Sequence, residues 1–446
     1  MYRKIILFPL ILLSFLLSSC SILFLNNKPE FIKVNGSHFE LAGKPYYFFG
    51  TNLWYGCYIG SSGSTGDRGR LLRELDRLKS IGVTNLRILG ASEKSYISRS
   101  LKPEIQIAPN VYNENLLDGL DFLLSEMRKR NMHAVIFLNN YWEWSGGMSQ
   151  YNDWAYPGSG VNPENDNYNN FMDYSASFYS NMKAQEIFNN FIYTLITRKN
   201  KYNGLYYYED PTIMSWQLAN EPRPGRSNYW IEEYYRWIEA TAMFIHLLDH
   251  NHLVSSGSEG IAGSLQDTSI YLMAHRTRYI DYLTFHLWAK NWDWFDAKNI
   301  QGTYSKTEKK AAEYINKHIS LARQLNKPVV MEEFGLPRDN ELCQPGTATT
   351  ARDKYFKMLL TLVYDSASSG APIAGSNVWA WGGEARNRNA DYKWRVGDPF
   401  LGDPPQEPQG LNSIFDTDSS TISIFKSHSE KMNFLNIRMP ELQIVK

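Results

Sequence analysis

Along most of the chain, short apolar runs alternate with longer segments whose apolar positions recur every three to four residues. The runs are "YYFFGTNLW", "TNLRILG", "HAVIFLNN", "TIMSWQLANEP", "HLVSSGSEG", "IDYLTFHLW", "PVVMEEFG" and "PIAGSNVWAWGG". Each is short and apolar at consecutive positions, the pattern of a parallel strand buried on both faces. Between them the spacing predicts amphipathic helices, as in "GRLLRELDRLKSIG", "NLLDGLDFLLSEMRKRN", "YWIEEYYRWIEATAMFIHLLD", "EKKAAEYINKHISLARQLN" and "ARDKYFKMLLTLVYDSAS", with others near 177–199 and 419–433. The fifth run has only a weak helical successor near 270–277. Eight such units predict an α/β fold of the closed (β/α)8 TIM-barrel type. A doubly wound open sheet is the competing arrangement, and the number of units favours the barrel. A short β-hairpin is predicted in "FIKVNGSHFELAGKP", ahead of the first run.

The long connections, 141–176, 289–307 and 383–412, each follow a strand and precede a helix. In a barrel such connections lie at the C-terminal rim, where active sites form. No repeat, low-complexity tract or Pro/Ser linker divides residues 31–446, so they are expected to form one domain.

Composition changes the picture at two points. The 46 basic and 46 acidic side chains cancel and are spread along the chain, so there is no field to attract nucleic acid. Aromatics are abundant, with 13 Trp, 29 Tyr and 22 Phe, and many Trp and Tyr fall in the long connections. Flat apolar rings with polar edges suit sugar rings; the alternative is that they brace their own loops. Trp142, Trp144, Trp154, Trp292 and Trp294 are the candidate platforms.

The N-terminus reads as a targeting signal: basic "MYRK", apolar "IILFPLILLSFLL", then "LSSC" ending at Cys20. The pattern resembles a bacterial lipoprotein signal, with residues 1–20 as signal peptide, Cys20 lipidated and 21–30 as a tether. An uncleaved anchor is the competing reading, because "SILFL" extends the apolar run. Either way the remainder is expected to be exported and held at a membrane, periplasmic or at the cell surface. Cys57 and Cys343 are too few for a disulfide framework, and the sequence leaves their pairing open.

The candidate chemistry lies at strand ends. Glu221 closes the fourth run, and the seventh offers Glu332 and Glu333. Strands four and seven stand on opposite sides of an eight-stranded barrel, so their terminal carboxylates can meet across its mouth. Two opposed carboxylates in an aromatic cleft suit glycosidic bond cleavage, one as acid and the other as nucleophile or base. By strand alternation Glu332 is expected to face away from Glu333, as a supporting or structural carboxylate.

The ordered set "NLRIL", "NNYWEWSGGMSQY", "LANEPR", "TFHLWAKNW", "EEFG" and "WAWGG" resembles family 5 of the glycoside hydrolases, and within it the endo-β-1,4-mannanases, over about residues 30–435. The resemblance implies a retaining enzyme with Glu221 as acid/base and Glu333 as nucleophile. It implies Arg87 beside Glu333, Asn220 on the sugar 2-hydroxyl, His286 and Trp288 on one strand face, and Trp381 as the stacking floor. Many relatives carry Tyr where this chain has Trp288. Asn140 is expected to supply one polar contact near the cleavage point, with Asn139 the alternative, and Trp142 and Trp292 to line subsites. Glu221 is expected to have a raised pKa and Glu333 to stay charged beside Arg87.

The expected partner is therefore a β-mannan polysaccharide or oligosaccharide, cut internally by a monomer. A β-1,4-glucanase or exo-β-mannosidase on the same scaffold is the rival among enzymes. A non-catalytic surface glycan-binding lipoprotein is the rival from another class, although both glutamates are present. No cofactor is needed and no metal site is indicated. His250 and His252 lack a third ligand at useful spacing, "GSSGSTGDRG" lacks the end of a phosphate loop, and no Gly-x-Ser-x-Gly elbow precedes a helix.

Overall fold

The computed structural model describes residues 30–437; the proposed signal, Cys20 and the tether up to residue 29 lie outside the described residues. Eight strands form one sheet: β1 (Phe48–Asn52), β2 (Asn85–Leu89), β3 (His133–Phe137), β4 (Ile213–Gln217), β5 (Leu253–Ser255), β6 (Leu283–Leu287), β7 (Val329–Phe334) and β8 (Ile373–Val378). All their pairings are parallel, in the order β5-β4-β3-β2-β1-β8-β7-β6. Between β5 and β6 the sheet closes through single bonds, Asp281 N to Val254 O at 2.8 Å and His286 N to Glu259 O at 3.0 Å. The protein is thus a (β/α)8 TIM barrel. Nearly every strand residue is buried, because helices cover the outside and side chains fill the inside.

Eight helices follow the strands in turn: α1 (Arg68–Ser80), α2 (Glu114–Lys129), α3 (Met182–Ile196), α4 (Ile231–Leu248), α5 (Thr268–Arg276), α6 (Ile300–Leu325), α7 (Thr350–Ser368) and α8 (Ser419–Leu435). Polar residues start several of them. Asp67, Asn113, Asn181, Asp267 and Asn299 each accept a backbone N–H from the first turn of α1, α2, α3, α5 and α6. The short helix expected after the fifth strand is indeed short, at nine residues. Helix α6 begins inside the connection expected to be irregular, because Asn299 caps it at Gly302 N.

Beneath the barrel, Lys33–Asn35 and His38–Leu41 form the expected antiparallel hairpin, extended by Lys44–Pro45. The 141–176 connection is not a bare loop: it folds into helices at Gly147–Ala155 and Tyr168–Ala176, which bury Tyr151, Phe171 and, just after them, Phe178. Residues 61–67 are tied down by Ser61 Oγ donating to Asn115 O and Thr65 Oγ1 donating to Tyr58 O. Cys57 and Cys343 are both free thiols.

Candidate active site

Glu221 follows the end of β4 and is held in an uncommon backbone conformation. Its φ of +51° lies in the left-handed region, which costs a residue with a side chain of order 1 kcal/mol. Glu221 N donates to Gly257 O at 3.0 Å, and Tyr234 Oη donates to Pro222 O at 3.2 Å. Those bonds and the proline fix the turn that aims the carboxyl into the barrel mouth.

Across the mouth, Glu333 comes from β7. His286 Nδ1 lies between the two carboxyls, 2.6 Å from Glu221 Oε1 and 3.2 Å from Glu333 Oε2. Burial and then the charge of Arg87 hold the His286 pKa well below its ordinary value, so the ring is neutral. Its Nε2 has no partner among the described residues, so the single ring proton belongs on Nδ1. One oxygen of each carboxyl and His286 Nδ1 all lie within 4.8 Å of one another. A cation could span that spacing, but the same carboxyls already receive donors from Arg87, Trp142 and Trp288.

Arg87, fully buried in β2, organises the centre. Nη1 donates to Glu333 Oε1 at 2.5 Å and to Asn52 Oδ1 at 3.1 Å, Nη2 to Asn220 Oδ1 at 2.9 Å, and Nε to Gln217 Oε1 at 2.8 Å. Trp288 Nε1 donates to Glu333 Oε2 at 3.2 Å, so an indole supplies the hydrogen bond that a tyrosine hydroxyl would give. Trp142 Nε1 donates to Glu221 Oε2 at 2.5 Å.

Glu333, expected to stay charged beside Arg87, is instead pushed toward its neutral form. Burial pushes the Glu333 carboxyl well above the ordinary carboxylate range; Arg87 opposes the push and Glu221 adds to it. A buried carboxyl beside a second negative charge holds its proton more tightly than an isolated one.

The cleft above the pair has a volume of about 450 Å3, and its walls include Asn220, Glu221, Glu333, Trp142, Trp288 and Trp292 as expected. A larger cavity of about 550 Å3, beside residues 64–67 and 384–400, contains neither glutamate. Three expectations are corrected. Trp381 does not line the cleft; it pairs beside Ile414 and its Nε1 donates to Glu74 Oε2 at 2.8 Å. Trp379 lines the cleft instead, edge-on to Trp288 at 6.0 Å. Asn140 is buried behind the wall, where its Oδ1 accepts from Asn220 Nδ2 at 3.2 Å and from Trp142 N at 3.1 Å; it holds the lining residues in place. Asn139 is likewise buried, its Oδ1 accepting from Asn140 N at 2.8 Å. Glu332 faces the barrel interior, because a bulge in β7 breaks strand alternation: Phe285 pairs with Met331, but His286 pairs with Glu333.

Among the other tryptophans, Trp144 reaches the cleft wall but is 2 % exposed, edge-on to Trp54. Trp154 packs on Tyr151, and Trp294 on Trp292 and Tyr314. The sequence reading missed several wall residues. Glu259, at the end of the fifth run, pairs with Arg223 and accepts from Trp292 Nε1 at 3.3 Å. Arg223 in turn lies 4.8 Å over the ring of Trp142. Burial pushes Glu259 up to about 7, Arg223 opposing and Glu221 adding. The strand-end rule that found Glu221 would have found Glu259 as well. Gln406 and Glu407 also line the cleft, and no period or motif marks them.

Comparison with known proteins matches this arrangement to one family. The profile described as "GH family 5 beta-mannosidase-like" matches residues 29–436. The chain belongs to glycoside hydrolase family 5. It is a glycoside hydrolase of the mannanase type. The putative mannan endo-1,4-beta-mannosidase 4 of Arabidopsis thaliana is 30% identical over 423 residues, 91% of this chain and 92% of that one. Mannan endo-1,4-beta-mannosidase 4 of Solanum lycopersicum is 30% identical over 373 residues, 80% of this chain and 84% of that one. The crystal structure of a family 5 mannosidase from Rhizomucor miehei superposes with a TM-score of 0.85 at 34% identity, covering 93% of this chain and all (100%) of that one.

Proposed function

We propose that this glycoside hydrolase cleaves β-1,4-mannosidic bonds of mannan, glucomannan or galactomannan chains with net retention. Glu333 attacks the anomeric carbon while Glu221 gives its proton to the departing oxygen. Glu221 then takes a proton from water, which attacks the glycosyl–Glu333 ester and releases the sugar. The observation that carries this reading is the approach of the two carboxyls to within 4.8 Å. An inverting enzyme needs a gap of roughly 6.5–9.5 Å to seat a water between them.

Arg87 is the cation that touches the pair, and it touches Glu333. Burial works against a charge on Glu333, yet it is the carboxyl in contact with the guanidinium, so the anion that attacks is placed there, with the proton delivered from Glu221 once a glycosidic oxygen arrives beside it. Trp142 and His286 orient Glu221 through neutral donors. Nuclear magnetic resonance of the first-formed product tests the reading. β-configured reducing ends are expected before mutarotation, and α-configured ends would overturn it.

Internal cutting follows the names of the plant relatives. A second reading, release of mannose from chain ends, is favoured by the 383–412 connection, whose Pro404, Gln406 and Glu407 form part of the cleft wall. Asp403 holds that segment by accepting from Gly410 N, Asn412 N, Ser413 N and Ser413 Oγ. The Rhizomucor protein of high structural similarity is named a mannosidase, which agrees with it. Early products from mannohexaose separate the two: a spread of intermediate lengths for internal cutting, accumulating mannose for terminal cutting. We also propose that Cys20 carries a lipid anchor on an exported protein; mass spectrometry of the mature N-terminus tests this.

A further inference from the structure

The bulge in β7 leaves one buried guanidinium facing two consecutive carboxyls. Glu333 Oε1 lies 2.5 Å from Arg87 Nη1, and Glu332 Oε2 lies 3.7 Å from Arg87 Nε. Gln217 joins them from below: its Oε1 accepts from Arg87 Nε at 2.8 Å, and its Nε2 donates to Glu332 Oε2. Asn52 spans the same pair, accepting from Arg87 Nη1 at 3.1 Å and donating to the Glu332 carbonyl at 2.9 Å. Tyr282 Oη donates to Glu332 Oε1 at 3.4 Å. Glu332 is 1% exposed and does not line the cleft, so the bond-breaking steps leave it unused.

We propose that Glu332 is a positioning residue that competes with Glu333 for Arg87, and so sets the pH at which the reacting pair gives up its proton. Protonated, Glu332 leaves the guanidinium charge to Glu333. Ionised, it adds a negative charge under the pair and holds the pair's proton to higher pH. The ionisable groups that face it are Arg87 from β2, Tyr282 just before β6 and Glu333 on β7, with Tyr271 of α5 also within its field. Burial pushes the Glu332 carboxyl up to about 7, with Arg87 and then Gln217 and Tyr282 opposing, so the switch falls near neutrality.

The proposal rests on Glu221 and Glu333 being the reacting pair. The test is the pH profile of kcat/KM for Glu332→Gln, Glu332→Asp and Tyr282→Phe, with Glu333→Gln alongside. In Glu332→Gln the alkaline limb is expected to move to lower pH by roughly one unit, with the acid limb in place, because Glu332 is already neutral there. Glu332→Asp restores part of the shift. Tyr282→Phe moves the alkaline limb the same way but less, since loss of a donor keeps Glu332 protonated longer. It also keeps the test readable if Glu332→Gln does not fold. Unmoved limbs with a uniform fall in activity would reduce Glu332 to a structural group and overturn the proposal. Full turnover in Glu333→Gln would overturn the pair assignment itself, and the proposal with it.

Discussion

Two buried ion clusters in this barrel are built from the same parts in opposite proportion. At the mouth, one guanidinium, Arg87, faces Glu333 and Glu332, with Glu221 across the cleft. Near the C-terminus, two guanidinium groups, Arg338 and Arg352, converge on the single carboxylate of Asp418. Burial alone would raise the Asp418 carboxyl, but Arg352 and Arg338 more than reverse it, and it lies below the ordinary range. Glu333 is pushed the other way. Excess negative charge leaves a proton that must be held and can be moved, which is what acid–base chemistry needs. Excess positive charge leaves none. It fixes a geometry, here the start of α8 against α7 and the segment before it.

Removing a carboxyl from each cluster should have opposite effects. Glu333→Gln is expected to lower turnover on mannan by about 10^4-fold or more. Its thermal midpoint should stay level or rise, since a mutually repelling buried carboxyl is gone. Asp418→Asn should do the reverse. Strand two buried guanidinium groups without a counterion and stability falls by about 3–5 kcal/mol in denaturant unfolding, while the folded fraction keeps its kcat. If Asp418→Asn silenced turnover in fully folded protein, the division between the clusters would fail.

A smaller effect sharpens the mouth cluster. Trp288→Phe keeps the ring against Trp379 but removes the indole donor to Glu333, and kcat should fall about tenfold. An unchanged kcat would mean that Arg87 and His286 orient the nucleophile without the indole.

The smallest effect comes from a half-exposed pair. Glu384 is held at about 2, first by its hydrogen bond to Arg73 and further by Arg77, although partial burial pushes the other way. Because the folded value is depressed, its contribution is complete above the ordinary carboxyl value and is lost as pH falls through about 2. Glu384→Gln should therefore cost under about 1 kcal/mol at pH 7, and the difference from the parent should vanish near pH 2. A cost that persisted there would point to packing instead of charge.

The barrel was legible in the sequence because consecutive apolar runs and helical periods write it out strand by strand. Glu221 and Glu333 were legible for the same reason, since strand ends converge on one rim. Alternation then misplaced Glu332, because a bulge adds one residue and no residue type announces it. Trp379 and Trp381 were confused because both follow the last strand, where alternation no longer applies. Trp381 turns to Glu74 only once α1 has brought that carboxylate alongside. The upward push on the Glu333 carboxyl comes from desolvation, which spacing does not encode. Gln406 and Glu407 reach the cleft through an irregular connection ordered by Asp403, a contact that no local pattern predicts.

In the proposed reaction Glu333 forms a covalent bond with the sugar while Glu221 handles the proton. A fluorinated mannosyl substrate that forms the ester quickly and hydrolyses slowly would leave a label readable by peptide mass spectrometry. One added sugar on Glu333 is expected. A label on Glu332 or Glu221, or full inactivation with no added mass, would contradict it.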